Sequence, residues 1–215
     1  SKNQFEKELL EQQLKRLSKQ CKWSYHKITN SEAGKKLNEQ FSQIKDNDVN
    51  FIVYNFVDML SHARTEMEMI RELANDEAAY RSLTKTWFEH SSLQELITKL
   101  REQGIHLIIT TDHGTVKVTK PIKIVGERNT NTNLRYKVGR GLSYNAKEVY
   151  VVNKPGEAFL PQIKLSNEYV FAREADFFVY PNNYNHFVNH YGNTFQHGGI
   201  SLEEMLIPYV ELQPK

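Results

Sequence analysis

Cysteine is nearly absent from this chain: Cys21 stands alone among 215 residues. One thiol cannot close an internal disulfide, which excludes a disulfide-stapled fold and points to a reducing compartment. No apolar run reaches the roughly 18 residues of a membrane helix, and the charged opening "SKNQFEKELL" has no secretory pattern. A cytoplasmic protein without a membrane partner is expected. Excess charge of one sign is missing too, since 28 Lys and Arg face 26 Asp and Glu for a net +2. That balance excludes a strongly basic nucleic-acid binder and leaves only local basic patches. Internal repeats, low-complexity tracts and Pro/Gly-rich linkers are also lacking. What is present is 39% hydrophobic and 11% aromatic residues, enough for one sizeable core and too many for disorder.

Hydrophobic spacing organises the chain. In the charged stretch 3–20, Phe5, Leu9, Leu10, Leu14 and Leu17 recur at helical intervals. "WSYHKIT" (23–29) alternates as a short strand. "SEAGKKLNEQFSQI" opens at Ser31 as an amphipathic helix with Leu37, Phe41 and Ile44 on one face. "VNFIVYNFVD" (49–58) and "IHLIITTD" (105–112) are near-continuous apolar runs, the pattern of strands covered on both faces. Between them, 64–89 reads as helical, and 91–104 as a helix with Ser91 at its N-cap and Gly104 at its stop. Further strands are expected in 117–125, 147–153 and 168–181, then a short helix and a final strand in "ISLEEMLIPYVEL". The fold class expected is α/β, a largely parallel sheet sandwiched between helices with a loop-rich insert in the second half. One domain is expected over 1–215: a helical lead-in at 1–45, a core at 46–118 and 147–215, and a polar insert at 119–146.

Ligands of an open parallel sheet bind beyond the C-terminal ends of its strands. Two strands are expected to end there in an acid. Asp58 is followed one helical turn later by His62 in "NFVDMLSH", and Asp112 is followed at once by His113 in "TTDHGT". "TFQHGGIS" adds His197 on a glycine-flanked loop. Each piece alone reads as a cap or a solvated loop. In this order they supply two carboxylates and three imidazoles, the donor mixture of Zn2+ and related divalent ions. In the polar insert, Arg128 and Arg140 are candidate substrate clamps, because guanidinium grips phosphate bidentately. Arg135 and Lys137 lie beside them, and a solvated basic loop is the competing reading. His186 and His190 also fall at i, i+4 in "NNYNHFVNHYGN", where a surface helix competes with a metal clamp.

These segments resemble, in the same order, the metal-binding segments of the alkaline phosphatase superfamily. The run "HGGISLEEMLIP" resembles its PglZ subgroup, as found fused to a receiver in PorX-type response regulators. The resemblance implies two Zn2+ ions, one on Asp58, His62 and His197 and one on Asp112 and His113, with a covalent phospho-enzyme mechanism. It implies a phosphatase or phosphodiesterase, the output part of a two-component regulator, acting on phosphate esters such as nucleotides or oligonucleotides. A sensor kinase or a sigma factor is the partner implied for the full-length protein, and the N-terminal helix is a candidate for homodimer contacts. The alternative is a catalytically degenerate signalling module that binds a partner such as a sigma factor. The family's nucleophilic Thr or Ser and a further Asp ligand lie upstream of the matched segments. The chain is therefore expected to be the C-terminal part of a longer domain, with no nucleophile assigned within it.

Overall fold

The computed structural model describes residues 5–74, 76–127, 130–161 and 168–215. The chain begins with α1 (Glu6–Arg16), β1 (Trp23–Ile28), α2 (Ser31–Glu39), α3 (Phe41–Lys45) and β2 (Val49–Tyr54). The Asn30 side chain caps α2 by accepting the Ala33 amide at 2.8 Å. β1 and β2 pair in parallel from Trp23–Val49 to Ile28–Tyr54, and α2 with α3 forms the crossover that a parallel pair needs. Next come α4 (Phe56–Glu66), α5 (Glu68–Leu73), α6 (Glu77–Glu89) and α7 (Ser92–Glu102). Asp76 and Ser91 cap the last two through the amides of Ala79 and Gln94.

The second half is strand-rich: β3 (Leu107–Thr110), β4 (Val116–Lys117), β5 (Lys120–Val125), β6 (Tyr136–Gly139), β7 (Ser143–Tyr144), β8 (Val149–Val152), β9 (Glu168–Ala172) and β10 (Asp176–Val179). It closes with α8 (Tyr184–Tyr191), β11 (Phe195–Gln196), α9 (Leu202–Met205) and β12 (Tyr209–Leu212).

Contacts divide the chain into two compact units. One comprises Ser1–Leu60, Leu73–Leu107 and Glu211–Lys215; the other comprises Ser61–Glu72 and Ile108–Val210. In the first, Ile28, Leu37, Ile44, Leu96 and Leu100 bury one face each of β1, α2, α3 and α7. Each such side chain contributes about 1.5–3 kcal/mol on burial. The second unit has two clusters. Ile122, Ile124, Val149, Val170 and Phe178 form one, while Val116, Val118, Phe177 and Val179 form the other, against which α8 packs Phe187 and Tyr191.

The strand pairing differs from the expected sheet. The α/β content is as expected, but among the described residues strands join in small sheets of two or three, parallel and antiparallel together, rather than one large parallel sheet. β10 runs parallel to β5, whereas β5–β7, β4–β11, β6–β9 and β8–β9 are antiparallel. Burial along β5 alternates, so it has one buried face and is not a strand of a sheet covered on both faces.

The strand expected to run through residue 58 also stops sooner. β2 ends at Tyr54, Asn55 donates its amide to Ile28 O at 3.1 Å, and Met59 donates back to Asn55 O at 3.0 Å to start α4. Phe56 turns away from the strand to stack on Trp87, with ring centroids 4.0 Å apart. Asp58 therefore sits in the first turn of a helix, where the helix dipole favours a carboxylate.

Candidate metal centre

Within the second unit two loops and one helix carry the three histidines of the expected site. α4 supplies His62 from its exposed side, four residues after Asp58 on the same helix, so the two share a face. The helix is anchored beyond His62 by Arg64, which is 2% exposed. Its guanidinium donates to Asn193 O at 2.9 Å and lies 4.9 Å from the centre of the Phe195 ring. Both contacts bear on the turn into β11, the strand that delivers His197.

The loop after β3 carries Asp112 and His113. Thr110 Oγ1 donates to Pro208 O at 2.8 Å, and Thr111 Oγ1 donates to His113 O at 2.9 Å, so hydroxyls fix the loop from both sides. His113 Nδ1 lies 3.0 Å from Gly114 O. A carbonyl can only accept, so Nδ1 carries the proton and donates, leaving the Nε2 lone pair as the ligand atom. The Asp112 carboxylate, 77% exposed, has Oδ1 3.8 Å from that Nε2.

His113 and His197 stack with ring centroids 4.0 Å apart and an interplanar angle of 11°. One nitrogen of each lies within 4.8 Å of the other. His62 stands edge-on to His197, with centroids 6.0 Å apart. The structure thus brings His62, His113 and His197 together, and places a histidine of each expected ligand set side by side.

Two residues outside the expected site lock these loops. Glu204 of α9 is 3% exposed, and its carboxylate accepts the amides of Gly199 at 2.9 Å and Ser201 at 3.1 Å. Arg135 is fully buried and meets the same carboxylate bidentately, with Nε and one terminal nitrogen each 2.9 Å from an oxygen. Burial pushes the Glu204 carboxyl up, but the Arg135 guanidinium and the two amides outweigh it and bring the group below the usual carboxylate range. The Glu204 backbone carbonyl accepts the Gly114 amide at 2.9 Å. One residue therefore holds the loop after His197 by its side chain and the loop after His113 by its main chain.

Glycine is required at both contacts. A Cβ on Gly114 would lie 2.0 Å from Glu203 O, and Gly198 has φ +100° with Asn133 Nδ2 2.7 Å from where its Cβ would be. Asn133 completes the loop by donating to His197 O at 3.2 Å.

Sequence reasoning missed Glu204 and left Arg135 among solvated arginines. The available sign was Ser201-x-x-Glu204, the spacing of a capping box. Arg140 is exposed between Gly139 and Gly141, and Arg128 lies outside the described residues. His186 and His190 stack on α8 with centroids 6.0 Å apart.

The donor chemistry fits a divalent transition ion: carboxylates and imidazoles, with one imidazole already oriented through its far nitrogen. Among the described residues no helix is long and apolar enough to cross a membrane. The family described as the BREX system PglZ alkaline phosphatase-like domain matches residues 1–212. No curated protein matches the chain.

Proposed function

Because the chain belongs to the PglZ family of alkaline phosphatase-like domains, we propose that it is a two-zinc phosphoric ester hydrolase domain. In this reading Asp58, His62 and His197 hold one ion, and Asp112 and His113 hold the other. The observation that carries it is the stacked pair of His113 and His197, one from each ligand set. Two-ion sites keep their metals about 3.5–4 Å apart, so their ligand shells must touch. Carboxylates with imidazoles are the donor mixture that suits zinc. When bound, such ions stabilise charge on the phosphoryl oxygens and lower the pKa of an attacking hydroxyl.

The chain's own residues perform the positioning. His113 presents Nε2 because its Nδ1–H is committed to Gly114 O. The His197 loop is held by Asn133 and by the Arg135–Glu204 pair. Arg140, exposed on the insert, is the described candidate to grip a phosphate oxygen. The attacking hydroxyl is assigned to no residue of this chain. The wider role, as output of a two-component regulator acting on nucleotide or oligonucleotide esters with a sensor kinase or sigma factor as partner, rests on the resemblance alone. A degenerate signalling module is the alternative, and one experiment separates the two. Elemental analysis of the intact native protein should find about two zinc per chain, and Asp112→Ala should lose zinc and bis-aryl phosphate hydrolysis together. Full activity in a zinc-depleted Asp112→Ala protein would sink the reading.

A further inference from the structure

The insert that reads as polar in sequence contains a lysine that water does not reach. Lys137 of β6 is 1% exposed. One N–H of its ammonium donates to Asn131 O at 2.9 Å, and Nζ lies 4.7 Å from the centre of the Tyr180 ring. An ammonium has three donors, and among the described residues no carboxylate forms an ion pair with this one. Burying a charge without a counter-charge is costly, and burial accordingly pushes the Lys137 pKa down to about 8.

The Lys137 side chain lines a half-open, mainly apolar pocket of about 170 Å3, walled also by Leu134, Phe178, Tyr180, Phe187 and Tyr191. An apolar cavity of roughly 150 Å3 is known to accommodate a benzene ring in another protein. The walls supply ring faces and edges, against which an aromatic guest gains more than its buried area alone. None of the walls is a candidate metal ligand, so this is a second locus and not an extension of the first.

We propose that this pocket binds a small aromatic carboxylate, with its ring between the aromatic walls and its carboxylate on the Lys137 ammonium. One negative charge matches the one cation among the pocket's lining residues. A phosphate dianion would leave charge and acceptors unmet among apolar walls, and a neutral hydrocarbon would leave the ammonium as it is. The carboxylate supplies both the missing counter-charge and an acceptor for the remaining N–H donors.

Benzoate and its neutral isostere benzyl alcohol test this by NMR titration of the intact chain, following signals of Leu134 and Phe187. Benzoate should saturate, and benzyl alcohol should bind about tenfold more weakly or worse, the loss expected for one charge-assisted hydrogen bond. Lys137→Met should remove that preference, bringing the two affinities together. Absence of saturable benzoate binding at about 10 mM, or equal affinity for the two probes, overturns the proposal. Unchanged benzoate affinity in Lys137→Met does so too. Should that variant not fold, the ratio of the two probes on the unaltered protein still decides.

Discussion

Arg135 and Lys137 stand two residues apart, both sealed from water, and their surroundings could hardly differ more. Arg135 sits in a polar socket: Glu204 takes two of its donors, and the carbonyls of Glu174, at 2.7 Å, and Asp176 accept others. Lys137 has one carbonyl and an aromatic face beside a mainly apolar pocket. The planar guanidinium offers a fork of donors at set angles, so it can be satisfied completely inside a protein and act as a strut. The ammonium is a compact charge, and without a carboxylate it stays under tension. The comparison teaches that a buried cation held by a carboxylate acts as a strut, whereas one without a counter-charge is left able to receive a ligand's.

Breaking the strut should have the largest effect. Glu204→Ala leaves the Arg135 guanidinium buried without its partner and frees the amides of Gly199 and Ser201, which should destabilise the fold by about 3–5 kcal/mol. Urea unfolding measures this, and a loss below about 1 kcal/mol would mean the pair is no more than a surface bridge. Gly114→Ala comes next, at about 1–3 kcal/mol, because its Cβ would overlap Glu203 O at 2.0 Å and push the two histidine loops apart. Zinc content should fall in that variant even at temperatures where it remains folded.

Lys137→Met sharpens the contrast by its opposite sign. Replacing an unpaired buried charge with an apolar chain of similar length should stabilise the protein by about 1–3 kcal/mol at pH 7. The pH dependence follows from the shift. Lys137 releases its proton near pH 8 when folded, against the usual 10.5 in the unfolded chain. Between those values the unfolded state binds more protons, so the group's contribution to stability rises with pH. The advantage of Lys137→Met should therefore be full below pH 8 and shrink steadily towards pH 10.5. Urea unfolding of both proteins across that range checks it, and a constant difference would show that burial does not lower the Lys137 pKa.

How much of this was legible in sequence varies by residue. The helix at 92–102 and its Ser91 cap were readable because spacing and capping are local. His113 and His197 stood out because each precedes glycine in a loop. The end of β2 was not legible. An apolar run does not distinguish strand from helix, and what turns Phe56 out of the strand is Trp87, far along the chain. The insert misled more deeply, since Arg135 and Lys137 look solvated until Glu204, 69 positions away, is seen to cover the first. Sheet order is non-local in the same way. A single sequence marks strands but not their neighbours, so the small mixed sheets could not be read from it.

The smallest effect tests whether the strut reaches the metal centre by a single hydrogen bond. Asn133 accepts the amides of Arg135 at 2.7 Å and Tyr136 at 3.1 Å through Oδ1, and donates to His197 O through Nδ2. Asn133→Asp keeps an acceptor for the two amides but removes the donor and sets a carboxylate oxygen against a carbonyl. Asn133→Ala removes all three bonds and should cost about 1–2 kcal/mol by urea unfolding. Asn133→Asp should cost about 1 kcal/mol or less and still weaken zinc retention against a chelator. If the aspartate variant retains zinc as the unaltered protein does, Asn133 merely shapes the turn before β6. If it loses zinc faster while its stability is nearly unchanged, the carbonyl of His197 is held for the sake of its ring.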